Sequence, residues 1–451
     1  MRIEQGQSKM KLKWISYVFC FPGIIFCHFI PLLVAAQDQP TQTTVAQDPA
    51  PQESAPRQLW SFLKEGKISF STRWRFESFE RDGAPFTGTA EAPTLRIALG
   101  YESPEYHGFT AFAQGESVIV TGAANYSIPL RPSQNRPNLP SILDPKSLEM
   151  NQAYVKWERH ISDKKFSLTA GRQELTLDDG RFISYSNWRQ VHGSFDAVRL
   201  EAELPRNFSF TYAFINRFYR EDGYDALDGE EPMHTDMVNL KWNKADKLNA
   251  SVYALLLNFR GPAQFATSTQ TYGVRLTGPY QFTPDWSLLY VAEYAKQKNY
   301  GTNPNKEDEN YYLGEIGPAW RDFSVKAGYA FLGGRSATDL LTTPLAPPRN
   351  GWTDLFFTNP SIPGGHGLEA AYVNASGPIR FLDGTVATFI YYDYHSDYPH
   401  IHYGSELDSS LAYKIKRISN RWEIGWRFGR YWSDHLYSNS LRTSVYTIFT
   451  L

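Results

Sequence analysis

The sequence predicts an all-β chain that closes into a single transmembrane antiparallel barrel of about 18 strands, with a leader and a linker ahead of it. Period-2 alternation recurs from residue 70 to the end, in runs of about ten residues, the length a tilted strand needs to cross a bilayer. Aromatic residues crowd the ends of those runs, as interfacial girdles require. Composition agrees: 28 Tyr, 29 Phe and 12 Trp in 451 residues favour pleated, half-buried surfaces. A mean hydropathy of −0.44 excludes a bundle of membrane helices, each of which needs ~20 apolar residues. With 45 Lys+Arg against 47 Asp+Glu, the chain has no basic footprint for nucleic acid.

The first 36 residues have the pattern of a secretory signal. Lys9, Lys11 and Lys13 form a basic region, Trp14 to Val34 is mostly apolar, and Val34-Ala35-Ala36 offers a small-residue cleavage site before Gln37. An uncleaved anchor is the alternative, although Pro22, His28 and Pro31 interrupt the apolar run. The polar residues ahead of Met10 suit a translation start at Met10 itself. This segment holds four Lys/Arg and one Glu, so the remaining 415 residues carry a formal charge of −5. It also holds both cysteines, Cys20 and Cys27, leaving the exported part free of disulfides. Residues 37–58, rich in Gln, Pro, Thr and Ala, cannot bury enough surface to offset their ordering entropy and form a disordered periplasmic linker. Residues 59–451 show no second break in composition and make one barrel domain.

Within that domain, Phe70, Thr72, Trp74 and Phe76 share one face while Ser71, Arg73, Arg75 and Glu77 share the other. Leu95, Ile97, Leu99 and Tyr101 likewise oppose Thr94, Arg96, Ala98 and Gly100. Phe208, Phe210, Tyr212 and Phe214 oppose Ser209, Thr211 and Ala213, and Trp422, Ile424, Trp426 and Phe428 oppose Glu423, Gly425, Arg427 and Gly429. A soluble sandwich also alternates. Charged polar faces and girdles at Trp74–Phe79, Tyr290–Tyr294 and Tyr431–Trp432 favour a wet lumen inside lipid. The chain ends in alternation from Leu441 to Leu451, as a closing strand must, since lipid tolerates no open edge. Runs centre near residues 74, 98, 112, 155, 169, 200, 212, 239, 252, 274, 290, 315, 327, 370, 388, 410, 427 and 446; one misjudged hairpin would make the count 16. The long connections are Thr121–Ser147, Asp178–Ser194, Arg220–Met233 and Gly333–Gly367, on the extracellular side. The last has the Pro and Gly content of an irregular lid over a pore mouth.

Three blocks of motifs recur in order through the barrel domain. The first runs Gly171-Arg172-Gln173-Glu174-Leu175, Asp178-Asp179-Gly180-Arg181-Phe182-Ile183, Trp188-Arg189-Gln190 and Phe195-Asp196-Ala197. The second joins Thr343-Pro344-Leu345-Ala346 with Asn350-Gly351-Trp352-Thr353-Asp354. The third joins Tyr394-His395-Ser396-Asp397 with Tyr403-Gly404-Ser405-Glu406-Leu407-Asp408. Together these blocks resemble the alginate export family of outer-membrane barrels, and the resemblance implies an 18-stranded barrel that lets an anionic polyuronate cross the outer membrane.

Guanidinium groups match carboxylate geometry, so inward arginines could select anionic sugars. Candidate substrate-binding residues are Arg73, Arg75, Arg96, Arg199, Arg275 and Arg427 on polar faces. Arg172 joins them on the resemblance, which sets it near a constriction or the outer rim, although its parity with Phe166, Leu168 and Ala170 points outward. The alternative is that such charges pair with Glu77, Glu116, Glu201 and Glu293 on neighbouring strands. Catalysis is not expected: the sequence has no Gly-x-Ser-x-Gly elbow and no His-Glu-x-x-His helix. His395, His400 and His402 beside Asp393 and Asp397 could hold a metal, but interleaved Tyr and Pro favour a solvated connection, so no metal or cofactor is expected. The expected function is a porin-like channel for anionic oligo- or polysaccharides or other small solutes. A non-conducting barrel whose loops bind an extracellular polymer is the alternative, and a soluble secreted enzyme a distant third. Outer-membrane lipid is the expected partner; periplasmic partners stay open.

Overall fold

In the computed structural model, residues 62–451 are described, apart from 245–246, 263, 346–349, 417–418 and 420. The signal and linker expectations lie outside the described residues. Eighteen antiparallel strands form one closed sheet. In chain order the first nine are β1 Lys67–Arg81, β2 Ala90–Glu102, β3 Phe109–Val120, β4 Ser147–Ile161, β5 Lys164–Gln173, β6 Ser194–Leu204, β7 Phe208–Tyr219, β8 Glu230–Lys244 and β9 Leu248–Leu256. The second nine are β10 Thr269–Gln281, β11 Trp286–Asn299, β12 Asp308–Trp320, β13 Phe323–Leu332, β14 Leu368–Pro378, β15 Thr385–His395, β16 His402–Lys414, β17 Trp422–Ser433 and β18 Ser440–Thr450. Every run centre read from the sequence falls inside one of them, so the count is 18 and not 16. Each strand pairs with its chain neighbours, and β1 pairs with β18 from Ser71↔Thr450 to Arg81↔Ser440. That closure leaves no edge.

Alternation puts polar side chains inside and apolar ones outside. On β10 the outward series is Tyr272, Val274, Leu276, Gly278 and Tyr280, an aliphatic band flanked by rings. Eight residues at ~3.4 Å each separate those tyrosines by about 27 Å along a tilted strand, close to the ~25 Å apolar band of such barrels. Neighbouring rings extend both girdles: Tyr294 lies 5.3 Å from Tyr312 at one end, and Trp286 lies 6.4 Å from Trp320 at the other. Two residues assigned to girdles by position alone face inward instead. Phe79 shares the parity of Arg75 and Glu77 and lies under the Arg442 guanidinium at 4.5 Å. Tyr431 shares that of Arg427 and donates its hydroxyl to the Tyr403 carbonyl at 2.7 Å.

Short turns join strands at one end and long connections at the other. Ser162 and Asp163 make a two-residue turn with φ of 48° and 62°, the left-handed pair that suits strand twist. The connection expected over Arg220–Met233 is shorter, because β8 begins at Glu230. A register shift between Ile215 and Arg217 lets Pro232 pair opposite Arg217 and prolongs the strand. Two of the long connections do not rest over the mouth. Segment 174–193 and the described residues of segment 333–367 fold into the barrel, where Phe182 packs 5.5 Å from Tyr311, and Phe356 packs 4.2 Å from Tyr394 and 5.8 Å from Tyr431.

The outer face supplies a direct check. Ile316 is 55% exposed, midway along β12 between Tyr312 and Trp320. Ile316→Arg should cost about 2–4 kcal/mol in reversible unfolding from lipid, the range for arginine at the bilayer midplane. A cost below ~0.5 kcal/mol would mean this face does not meet hydrocarbon.

Candidate functional site

A loop inside a barrel must find partners for its own N–H and C=O groups. The wall strands supply them. At Gly171, φ is +127° and a Cβ would stand 2.3 Å from the Ala153 carbonyl oxygen, so only glycine fits β5 this closely against β4. The neck of segment 174–193 closes where Glu174 meets His192 Nδ1 at 2.8 Å. Arg73 on β1 donates from Nε to Gln190 at 2.9 Å, from Nη1 to the Asn187 carbonyl at 2.7 Å, and also to the Arg189 carbonyl. Arg75 donates to the Trp188 carbonyl at 2.5 Å and pairs with Asp144, whose other oxygen accepts Gln190 N–H at 3.1 Å. Arg96 Nε donates to Glu116 at 2.6 Å, and that carboxylate accepts His192 N–H at 2.9 Å.

Segment 333–367 is held by carboxylates. Glu406 on β16 accepts Thr353 N–H at 2.8 Å and the Thr353 hydroxyl at 2.7 Å, and Asp408 accepts Trp352 N–H at 3.1 Å. The segments also hold each other: Ser184 N–H donates to the Leu345 carbonyl at 2.8 Å, and Arg189 pairs with Asp354. Arg442 on β18 joins the cluster, donating to Asp354 at 2.7 Å and to Glu77 at 2.7 Å. Burial works against the charge of Arg189, but Asp354 and Glu77 outweigh it and hold the guanidinium above the ordinary arginine range.

Between wall and segments lies a cavity of about 550 Å³. Its cations are Arg181, Arg189, Arg275, Lys326, Arg427 and Arg442; its anions are Glu77, Asp179, Glu315 and Asp354. The lining therefore carries two more positive than negative side chains. Lys326 meets Glu315 at 2.7 Å, and Arg275 meets Asp179 at 3.3 Å as well as Glu293. Arg427 differs. Its guanidinium lies 3.7 Å from the Trp188 ring centre and 5.0 Å from that of Trp352, one indole from each inserted segment, and it has no ion pair among the described residues.

The structure separates the seven arginines singled out from sequence. Arg275 and Arg427 line the cavity. Arg73, Arg75 and Arg96 sit beneath segment 174–193, tied to its backbone or to carboxylates. Arg199 pairs with Glu201 at 3.4 Å, away from the cavity. Arg172 follows its outward parity: it meets Asp196 at 2.9 Å and covers the Tyr219 ring at 3.6 Å near the outer ends of β5–β7. Arg181, Arg189, Arg442, Trp188 and Trp352 were not among the candidates. Arg442 was readable from parity with Ser440 and Ser444; the other four lie in connections, where alternation says nothing.

An edgeless 18-stranded barrel with apolar belts outside and a charged, loop-lined cavity inside is an outer-membrane β-barrel. The family model for alginate export matches residues 67–337, more than half of the chain, and the chain belongs to that family. The blocks Asp178–Ile183, Trp188–Gln190 and Asn350–Asp354, scattered in sequence, meet at this cavity, and Tyr403–Asp408 backs it where Glu406 and Asp408 hold Thr353 and Trp352. Among solved structures, Acinetobacter baumannii OccAB3 is 14% identical with a TM-score of 0.66, the match covering 86% of this chain and 99% of that one. Pseudomonas aeruginosa OccK9 (OpdG) is 13% identical with a TM-score of 0.66, at the same coverage. Pseudomonas aeruginosa OpdK, solved with vanillate, is 13% identical with a TM-score of 0.64, again covering 86% and 99%. No curated protein matches the sequence.

Asp354 ties both inserted segments to the wall. Asp354→Asn leaves Arg189 and Arg442 with Glu77 as their one shared carboxylate among the described residues. Breaking a buried pair costs ~3–5 kcal/mol, so amide exchange across 350–357 should accelerate at least tenfold while the barrel stays folded. Unchanged exchange would mean that backbone contacts alone hold the segment.

Proposed function

We propose that this barrel is an outer-membrane channel, without enzymatic activity, that passes anionic saccharides such as polyuronates or similar carboxylate-bearing solutes. The observation that supports the anionic preference is Arg427, clamped between two indoles with no carboxylate of its own. Stacking fixes the plane of a guanidinium and leaves its N–H edge for a bidentate carboxylate contact. Trp188 and Trp352 add apolar faces on which the C–H face of a sugar ring can rest. Two charge-assisted hydrogen bonds at ~1.5–3 kcal/mol each, less ordering costs, give affinity near the millimolar level of ~4 kcal/mol. That strength suits conduction, which needs binding weak enough for release. The vanillate in OpdK is itself a small carboxylate. In this reading Arg275 and Arg427 meet the solute, while Arg73, Arg75 and Arg96 position segment 174–193.

A second reading, a non-conducting barrel whose outer loops bind a polysaccharide, draws on the two inserted segments and their Arg189–Asp354 tie. Planar-bilayer recording separates the two: discrete current steps support the channel, and a folded barrel without them supports the plug. Given steps, Arg427→Gln should move the reversal potential toward cations and weaken block by galacturonate oligomers at least threefold. Arg75→Gln should instead lower folded yield. Unaltered selectivity and block in Arg427→Gln would remove the support for an anionic solute.

We also propose that the chain reaches the outer membrane through a signal cleaved after Ala36, on the pattern of residues 9–36. Mass spectrometry of the membrane-extracted protein should find Gln37 at the N-terminus; an intact leader would mean an anchor.

A further inference from the structure

On β15, Ile390, Tyr392 and Tyr394 are buried toward the lumen, so alternation sends Asp393 and His395 to the outer face. A register shift between Tyr394 and His395 sets His395 opposite His402, the first residue of β16. The connection between them is pinned by Ile401 N–H donating to the Ser396 hydroxyl at 2.8 Å and Ser396 N–H to the Ile401 carbonyl at 2.9 Å. Four of the ten histidines in the chain, His395, His400, His402 and His435, converge at this corner.

We propose that Asp393, His395 and His402 form a binding site for a divalent transition-metal ion, with Zn²⁺ the best match, at the extracellular rim of β15 and β16. One ligand atom from each of the three residues lies within 4.8 Å of the others. His402 Nε2 stands 3.0 Å from Asp393 Oδ1, and His395 Nδ1 stands 3.5 Å from Asp393 Oδ2. Tetrahedral ligands at ~2.0–2.1 Å from zinc are separated by about 3.3 Å, and each imidazole nitrogen stands close to that distance from one of the two Asp393 oxygens. Two imidazoles and one carboxylate leave the fourth position to water. Asp434 lies 2.9 Å from His402 Nδ1, the nitrogen turned away from Asp393. A carboxylate in that place fixes the tautomer of a metal-bound histidine and raises its basicity. The side chains of Asp393, His395 and His402 are 43%, 30% and 35% exposed, so an ion can enter from outside without any rearrangement of the barrel.

A bound ion would clip the outer ends of two strands together. A hydrogen-bonded His–Asp network without metal accounts for the same contacts, and the test separates the two. Untagged barrel, folded in detergent and freed of metal with EDTA, is titrated with ZnCl₂ in a calorimeter and with CoCl₂ in an absorption cell. One Zn²⁺ per chain at micromolar concentration, with visible Co²⁺ bands, is expected. His395→Gln with His402→Gln should weaken Zn²⁺ binding at least 50-fold and abolish the bands, whereas His435→Gln should leave both intact. Should the double variant misfold, Asp393→Asn alone should weaken binding at least tenfold. Absence of Zn²⁺ binding by the unaltered barrel, or undiminished binding in whichever of these ligand variants folds, would overturn the site.

Discussion

Every backbone N–H and C=O exposed to lipid must be hydrogen-bonded, because hydrocarbon offers no partner. In this chain the constraint is met by the β1–β18 pairing, which turns a sheet into a tube. The period-2 sorting of side chains follows from it. Once the tube exists, one face of every strand sees hydrocarbon and the other sees the lumen. The same rule then applies a second time, inside. Segments 174–193 and 333–367 carry unpaired backbone groups into the lumen, and wall arginines and carboxylates take the place of the missing strand partners.

That second use of the rule explains why so many charges face inward without making the lumen strongly basic. Arg73 bonds two carbonyls of segment 174–193, while Glu406 accepts an N–H and a hydroxyl from the other segment. Charge sign follows loop polarity: the arginine-bearing wall meets carbonyls, and the carboxylate-bearing wall meets N–H groups. These are consumed interactions. Arg427, stacked on two indoles and without an ion pair among the described residues, is left out of this work.

The barrel was legible because alternation is a local property, repeated eighteen times, that tertiary context does not override. It even placed Arg172 on the outside against the pull of family resemblance. The cavity was less legible, because its character comes from two connections. Parity could show that Arg73 and Arg427 share the lumen. It could not show that Asn187 and Arg189 would cover the first while Trp188 and Trp352 would flank the second. Motif blocks carried the information alternation lacked, since Trp188-Arg189-Gln190 and Asn350–Asp354 are the pieces that meet. The inward Phe79 and Tyr431 show the opposite error, where clustering of rings was trusted over parity.

The hydrogen bond from Arg442 to Glu77 spans 365 residues and joins the last strand to the first. It can form only once the seam between them has zipped. The Arg189–Asp354 contact is built onto the same pair of strands, so an open-seamed intermediate has a wall without the anchor of its inserted segments. The interior of this barrel is therefore completed in the same step that closes its wall, and a barrel stalled before closure would lack the shared anchor of both inserted segments.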